Sequence, residues 1–342
     1  TERPDETITI NNCMVEYYLN QEDWDRSFTI LRDMSTPDRQ VALIEKAMPD
    51  MLSNGRLSTL STWIDSLPVD ILSSNPTILS LQGFIASTTG DNKLAITLFN
   101  QAINSMVLPK DRQVLARSLV WRAGSNRMAV NFSAAINDAQ EAIRLVGNDL
   151  SMSKVKAEAF RCIGLCLDRD GKPIEALNWL DQALQVSISI DDKENAAIIQ
   201  LGMGVVQENL GNYTEAMAMY QSALAHWDKT ENSIWLPNVL NNLGVLQHLT
   251  GDYKSAILTY EKGLQFAQRS KYSRIEAFIL TGIGDIYIQL NALEEASDAY
   301  QQAKIIAQTL NIFVLTVYLT IQEAIIACDK GDFVSSYRLI DE

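Results

Sequence analysis

The segment that decides the fold reads LGMGVVQENLGNYTEAMAMYQSA and covers residues 201–223. Its first half places Gly204 inside an apolar helical stretch, and its centre carries Gly211, a residue that typically ends a helix. Its second half places Ala216 and Tyr220 four residues apart, which puts both on one face of a second helix. The segment therefore predicts two antiparallel helices joined by a tight turn.

The same pattern recurs every 40 residues along the chain. The small position of the first helix holds Gly164, Gly204, Gly244 and Gly284, and twelve residues later stand Ala176, Ala216, Ala256 and Ala296. Four residues further on stand Leu180, Tyr220, Tyr260 and Tyr300. Upstream, Gly83 and Ala123 begin units with the same spacing. A fixed period of this length is typical of repeat architectures, in which each one-sided hairpin must stack on its neighbours to bury its apolar face.

Turn residues mark the midpoint of each period. GNYTEA from Gly211, GDYKSA from Gly251 and NALEEA from Asn291 place Gly or Asn where a helix ends in the left-handed region. Related segments begin at Gly90, Gly171 and Gly331, and weaker ones at Glu22 and Gly55. These eight segments, together with the unit of Ala123, predict nine helix hairpins.

These features together predict an all-α, tetratricopeptide-like right-handed superhelical solenoid of about nine helix hairpins with a 40-residue period. Residues 1–75 are predicted to form irregular hairpins with a linker-like character, and residues 76–342 to form regular repeats, the last of them truncated. The order of small residue, alanine, aromatic residue and alanine is similar to the tetratricopeptide pattern, which usually repeats every 34 residues. We expect the additional residues to lengthen both helices and to deepen the inner wall of the solenoid.

The segment from residue 44 to residue 83 carries a second resemblance. It reads IEKAMPDMLSNGRLSTLSTWIDSLPVDILSSNPTILSLQG and includes Gly55, Trp63, Ile64, Leu67, Pro68, Pro76 and Gly83. This stretch resembles the beginning of the sensor region in MalT-like regulators, large ATP-dependent bacterial activators with a LuxR-type DNA-binding domain. The resemblance implies that the chain is the sensor part of a longer protein, with an ATPase before it and a helix-turn-helix domain after it. The chain itself contains no GxxxxGK[ST] loop.

Composition excludes several functional classes. Lys and Arg number 28 against 42 Asp and Glu, which gives a net charge of −14 and argues against direct contact with nucleic acids or anionic membranes. The two histidines, His226 and His248, and the four cysteines lack the spacing of a metal site or a disulfide framework. We therefore predict no catalytic residues, no metal and no cofactor in this chain, reduced cysteines and a cytoplasmic location.

Candidate ligand-binding residues follow from the repeat frame. In tetratricopeptide arrays the first helix of each hairpin lines the concave wall, and positions six and three before the small residue and one, four and five after it point inward. The resulting concave-groove candidates are Arg161, Glu208, Asn209, Asn238, Asn241, His248, Asp285 and Gln289. The alternative is that these side chains are polar only because a solvent-facing helix surface is polar. The asparagine and basic run of the carboxylate clamp found in chaperone-binding tetratricopeptide domains are absent, and we expect the acidic groove to repel a carboxylate tail.

Two functions remain open at this point. The first is a ligand- or partner-sensing domain of a MalT-like signal-transduction ATPase that regulates transcription, in a parent protein that self-associates. The second is a tetratricopeptide scaffold that binds a protein or peptide and has no transcriptional role. In either case the partner is a small polar inducer (a sugar is one candidate) or a peptide or protein in the concave groove. The sequence leaves the identity of the ligand and the oligomeric state open.

Overall fold

The structure, a computed structural model, describes residues 4–53, 56–228 and 235–341. In these ranges the backbone forms nineteen α-helices, one short 3-10 helix and no strand. The helices are α1 (Pro4–Asn20), α2 (Trp24–Asp33), α3 (Pro37–Ser53), α4 (Leu57–Asp65), α5 (Val69–Ser74), α6 (Pro76–Thr88), α7 (Asn92–Ser105), α8 (Arg112–Met128), α9 (Phe132–Val146), α10 (Ser153–Arg169), α11 (Pro173–Ser189), α12 (Lys193–Asn209), α13 (Tyr213–Trp227), α14 (Leu236–Leu249), α15 (Tyr253–Arg269), α16 (Ser273–Gln289), α17 (Leu293–Thr309), α18 (Phe313–Asp329) and α19 (Phe333–Asp341). The prediction of an all-α fold built from helix hairpins is confirmed.

Two compact units divide the chain. Unit 1 comprises Thr1–Asp170 with α1 to α10, and unit 2 comprises Gly171–Glu342 with α11 to α19. Within each unit, neighbouring helices in the sequence pack against each other, for example α8 on α9 and α16 on α17. The division predicted between residues 75 and 76 stays a prediction.

The predicted turns form as expected in the regular repeats. Gly211 and Gly251 adopt φ values of 78° and 80°, and Asn291 adopts 57° at the equivalent place. The next helix begins two residues later, and after Gly251 the Asp252 side chain caps it by accepting a hydrogen bond from the Ser255 backbone N–H. The predicted turn at Gly55 lies outside the described residues. Helices α16 and α17 have 17 residues each, as the long period requires.

Glycine is needed at the small position because the aromatic ring of the partner helix lies directly on it. A Cβ added to Gly204 would lie 2.4 Å from the Tyr220 ring, and one added to Gly284 would lie 2.4 Å from the Tyr300 ring. The Tyr220 side chain is fully buried. The sequence alone suggests that two helix backbones approach each other here, whereas the nearest atoms belong to the ring. The ring and the missing side chain therefore form one packing unit.

The chain itself shows how this packing unit varies. Where the ring position carries alanine, at Ala139, the small position carries Ala123, and both residues are fully buried. Where it carries phenylalanine, at Phe99, the small position is Gly83, and an added Cβ would lie 2.9 Å from the ring. The sizes of the two side chains thus compensate each other within a hairpin.

The segment around Trp63 lies between α3 and α6 in unit 1. The Trp63 ring stacks on Phe28 with a centroid distance of 4.4 Å, and Leu67 is buried in the same core. Pro68 then precedes α5, and Asn75 caps α6 by accepting hydrogen bonds from the backbone of the two residues that follow Pro76. The tryptophan and the two prolines therefore fix the direction in which the first regular repeat begins.

Candidate functional site

The first helices of the hairpins in unit 2 lie side by side. Helix α14 contacts α12 on one side and α16 on the other. Seven of the eight predicted residues lie on these three helices: Glu208 and Asn209 on α12, Asn238, Asn241 and His248 on α14, and Asp285 and Gln289 on α16. The eighth, Arg161, lies on α10 in unit 1. That these residues contact a ligand stays a prediction.

Glu208 forms a hydrogen bond with the ring that packs its own hairpin. The Tyr220 hydroxyl donates to a carboxylate oxygen of Glu208 at 2.8 Å. Glu208 is half-buried, and this burial raises the pKa of its carboxyl group, an effect that the hydrogen bond from Tyr220 opposes. Burial and the nearby carboxylate likewise raise the pKa of Tyr220, so its hydroxyl keeps its proton and acts as a donor.

Asp285 accepts two phenolic hydrogen bonds on the same oxygen. Tyr300 of the same hairpin donates at 2.6 Å, and Tyr318 of the next hairpin donates at 2.9 Å. Burial is the main reason that the pKa values of both tyrosines are raised, and Asp285 raises them further. Tyr318 lies on α18 and is partly exposed, with a relative accessibility of 37%. Asp285 thus links two consecutive hairpins.

Tyr260 packs between α14 and α16 and is affected by the charges of both carboxylates. Its ring occupies the gap left by Gly244 on α14 and Gly282 on α16, where an added Cβ would lie 2.6 Å and 2.5 Å from ring atoms. Burial raises the pKa of Tyr260, and the charges of Asp285 and Glu208 raise it further. Both carboxylates therefore act on one phenol. We call Glu208, Asp285, Tyr220, Tyr260, Tyr300 and Tyr318 the acidic tyrosine cluster.

The carboxylates of the cluster lack a cationic partner in the part of the chain that the structure describes. In the described ranges, no Lys, Arg or His side chain forms an ion pair with Glu208 or Asp285. Lys304, a cation on α17, pairs instead with Glu323 of α18 at 2.6 Å. The arrangement leaves two carboxylates, partly removed from water, with only phenols as partners.

The remaining predicted residues of unit 2 are distributed around this cluster. On α14, the Asn241 amide donates to Asn242 at 3.2 Å, and the His248 ring packs edge-on against Tyr253 with a centroid distance of 5.6 Å. Asn238 is half-buried on the same helix. Asn209 and Gln289 are exposed at the C-terminal ends of α12 and α16. Glu208 and Asp285 are therefore the predicted residues that the structure joins to tyrosine hydroxyls by hydrogen bonds.

The predicted candidates include none of the four tyrosines of this cluster. Tyr220, Tyr260 and Tyr300 have only a packing role in that prediction, because their position in the frame is that of the ring filling each hairpin. Tyr318 stands six residues before Ala324, an offset that the frame identifies as inward, but the candidates include no residue of this last unit. Counting the same offsets from Ala324 finds Tyr318.

Arg161 is half-buried in unit 1, and its Nε is buried without a hydrogen-bond partner among the described residues. Burial lowers the pKa of its guanidinium. A surface cavity of about 520 Å³ also lies in unit 1, between α5, α6 and α7, with Leu72, Leu79 and Leu98 among its lining residues. None of the predicted residues lines it.

Two further properties concern the described residues as a whole. In these ranges no three or more His, Cys, Asp and Glu side chains are grouped so that they could hold a metal ion. Over the same ranges, no helix is both long enough and apolar enough to span a membrane. Cys162 and Cys166 are buried on α10 and are not joined by a disulfide.

Comparison with known proteins identifies the repeats. Three overlapping stretches, residues 156–229, 195–269 and 238–308, match the family model for the tetratricopeptide repeat. These stretches are tetratricopeptide repeats. All members of the acidic tyrosine cluster except Tyr318 lie within these stretches. No match was found among curated proteins.

Several solved structures share the fold of the chain at low identity. A signal transduction ATPase with numerous domains (STAND) and a tetratricopeptide repeat sensor, from Pyrococcus horikoshii, gives a TM-score of 0.70 at 17% identity over 99% of this chain and 52% of that one. This chain therefore spans about half of that protein. A Rap protein complexed with competence and sporulation factor gives 0.62 at 13% identity over 98% of this chain and 99% of that one.

A third structure is the Rap conjugation gene regulator of plasmid pLS20 in complex with a Phr peptide. Its TM-score is 0.63 at 14% identity, over 96% of this chain and 93% of that one. At these identities, the likeness of all three structures concerns the fold.

Proposed function

We propose that this chain is a sensor domain and that the acidic tyrosine cluster of unit 2 binds the positively charged group of a peptide ligand. The observation that carries the proposal is the pair of half-buried carboxylates, Glu208 and Asp285, which accept hydrogen bonds from tyrosine hydroxyls and have no cationic partner among the described residues. A ligand ammonium or guanidinium group supplies the missing counter-charge.

The electrostatics of the cluster favour such a ligand. Burial disfavours the charged form of Glu208, and a bound cation reverses this effect because the two opposite charges attract strongly where water is partly excluded. The phenol of Tyr318, which is partly exposed, adds an aromatic face and a hydroxyl whose hydrogen bond already orients Asp285. The carboxylates are therefore oriented before the ligand binds, which reduces the entropy lost on binding.

The ligands bound in the similar structures support a peptide over other ligands. One Rap protein is complexed with competence and sporulation factor, and another is in complex with a Phr peptide. The predicted sugar inducer remains an alternative ligand, for which the amide groups of Asn238 and Asn241 are the candidate contacts. Binding that differs between two states of the parent protein would shift the population of those states, which is how a sensor acts.

A peptide library tests the proposal although the natural ligand is unidentified. Two pools of capped random pentapeptides, identical except that the central residue is arginine in one and norleucine in the other, are dialysed against the chain and the retained peptides are identified by mass spectrometry. We expect saturable retention from the arginine pool. Equal retention from both pools, or none from the arginine pool, contradicts the proposal.

A second, more specific proposal concerns the parent protein. We propose that it is a MalT-like signal-transduction ATPase that regulates transcription in the cytoplasm and self-associates. It is supported by the Trp63 to Pro76 segment and by the fold shared with the STAND protein from Pyrococcus horikoshii. The test is the reading frame that surrounds the coding sequence. A GxxxxGK[ST] loop upstream and a basic helix-turn-helix downstream support it, whereas an ATPase without a DNA-binding domain leaves the sensor but removes transcription. Without either domain, the scaffold hypothesis stands.

A further inference from the structure

Three arginine side chains of unit 1 lie on the first helices of two consecutive hairpins, α8 and α10. Arg117 stands six residues before the small position Ala123, Arg127 four residues after it, and Arg161 three residues before Gly164. These offsets point inward in the repeat frame. All three side chains are half-buried, and α8 packs against α10. Counting these offsets from Ala123 identifies Arg117 and Arg127 as inward-pointing residues from the sequence alone.

Protein carboxylates do not satisfy these guanidinium groups. The Nε atoms of Arg117 and Arg161 are buried without a hydrogen-bond partner in the ranges that the structure covers. Within those ranges, no ion pair joins Arg117, Arg127 or Arg161 to an acidic residue. Arg122, which lies between the first two on α8, is different because it donates two hydrogen bonds to Asp138 at 2.6 Å and 2.8 Å.

The three charges share one region of unit 1. Burial lowers the pKa of Arg161, Glu158 opposes the change, and the positive charge of Arg127 adds to it. Burial also lowers the pKa of Arg117. The charges of Glu45, which is exposed, and of Glu158 oppose this change. Glu158, which is half-buried, is the one acidic residue that acts on both Arg117 and Arg161.

One of these guanidinium groups is held in place by aromatic packing. The Arg117 guanidinium carbon lies 5.3 Å from the centroid of the Trp121 ring. Trp121 in turn packs against Phe84 with a centroid distance of 4.6 Å. The orientation of Arg117 is therefore fixed in the absence of any partner, which is the arrangement expected of a binding site prepared in advance.

We propose that Arg117, Arg127 and Arg161 bind an oxyanion, a carboxylate or phosphate group carried by a ligand. The planar fork of guanidinium donors matches two oxygen atoms of either group. The site belongs to unit 1 and is independent of the acidic tyrosine cluster of unit 2. The proposal differs from the expectation that the groove repels carboxylates, which rests on the net charge of the whole chain.

The repeat frame shows that the fold does not require a charge here. The position of Arg161 is occupied by Leu201 and Thr281 in later hairpins, and both are buried. A buried guanidinium without an acceptor destabilises a protein relative to an apolar side chain of similar volume. A functional role for the charge therefore explains its presence better than a structural one.

The test uses Arg161→Met, which removes the charge and keeps much of the volume, with Arg144→Met as the matched control on the exposed surface of α9. Thermal unfolding and calorimetry of the whole chain are measured with inorganic phosphate and with citrate, against sodium chloride of equal ionic strength. We expect at least one anion to raise the Tm of the wild type saturably. Arg161→Met should raise the Tm without anion and weaken anion binding by about tenfold or more, and Arg144→Met should leave the binding unchanged.

The two anions distinguish the sources of the oxyanion, since binding of phosphate alone indicates a phosphorylated ligand and binding of citrate alone a carboxylate. Absence of a saturable response to either anion overturns the proposal. A lower Tm of Arg161→Met together with unchanged anion binding also overturns it, because it assigns Arg161 to the fold. If Arg161→Met does not fold, Arg127→Gln provides the same comparison on α8, and equal affinity in this variant and in the control is the contradicting result.

Discussion

The hydroxyl of Tyr220 donates a 2.8 Å hydrogen bond to Glu208, and the ring of the same Tyr220 lies on Gly204. One side chain thus completes the packing of a hairpin and orients a carboxylate at its surface. Tyr300 has the same double role with Gly284 and Asp285. The residues that define the repeat in the sequence are therefore also part of the candidate site.

The packing role of the glycine is tested by Gly204→Ala. Its Cβ would lie 2.4 Å from the Tyr220 ring, so the ring or α12 must move, and we expect a loss of about 1–3 kcal/mol in the free energy of unfolding. The matched control is Gly124→Ala in the interior of α8, where an added Cβ meets no atom within 4 Å. There we expect a gain of about 0.5–1 kcal/mol from helix propensity. Urea unfolding of both variants measures the difference, and equal effects would contradict the packing assignment.

The second prediction uses the compensation seen between Ala123 and Ala139. Gly204→Ala combined with Tyr220→Ala should be less destabilising than the sum of the two single changes, because the smaller residue removes the clash. We expect a coupling energy of about 0.5–3 kcal/mol from a double-mutant cycle measured by chemical unfolding. Additive effects would show that the ring and the glycine are energetically independent.

A third prediction concerns the pH dependence of stability at Glu208. Because burial raises the pKa of Glu208 in the folded chain, the folded state holds this proton more tightly than the unfolded state does. The resulting stabilisation is fully present below the pKa of the unfolded chain and is lost as the pH rises through the folded pKa. Glu208→Gln removes this dependence and keeps an acceptor for Tyr220, so it should raise the Tm by about 1–3 °C near neutral pH and not at about pH 4.

The control for this experiment is Glu215→Gln on α13, where the side chain is exposed. Its difference from the wild type should not change with pH. Parallel melting curves of the wild type and Glu208→Gln over the whole pH range would show that Glu208 is not a destabilised carboxylate.

A fourth prediction addresses the end of the hairpin formed by α12 and α13. Trp227 is fully buried, and its indole N–H donates to both carboxylate oxygens of Glu194 at 3.0 Å and 3.1 Å. Glu194→Ala leaves this buried donor without its acceptor and should cost about 1–3 kcal/mol. Glu175→Ala, an exposed acidic residue in the first turn of α11, should cost much less. Urea unfolding measures both, and equal losses would contradict the assigned role of Glu194.

The fold can be predicted from the sequence because the same spacing of small, aromatic and turn residues is repeated along the chain. Gly204, Gly244 and Gly284 each face a tyrosine of the same hairpin, and the turns at Gly211 and Gly251 stop the first helices at fixed places. The contacts between surface side chains are harder to predict from the sequence. Tyr318 and Asp285 come from different hairpins, so their hydrogen bond follows from how hairpins stack and not from the spacing within one repeat.

The charge of the groove cannot be derived from composition for a similar reason. The net charge of −14 is a sum over the whole chain, whereas Arg117, Arg127 and Arg161 are collected on two neighbouring helices of unit 1. The buried Nε atom of Arg161 depends on the side chains that surround it in three dimensions. The repeat frame predicts the position of Arg161, and only the structure shows the absence of an acceptor among the described residues.

The most direct test of the central claim is the affinity of the double variant Glu208→Gln, Asp285→Asn for an arginine-containing peptide retained from the library. Both changes remove a negative charge and keep an oxygen acceptor for the tyrosines. The control is Glu215→Gln, Glu261→Gln, which removes two charges from exposed positions on α13 and α15. By calorimetry we expect the double variant to bind at least about tenfold more weakly than the wild type, and the control to bind with unchanged affinity. Equal affinities of the two double variants would contradict the assignment of the acidic tyrosine cluster as the ligand site.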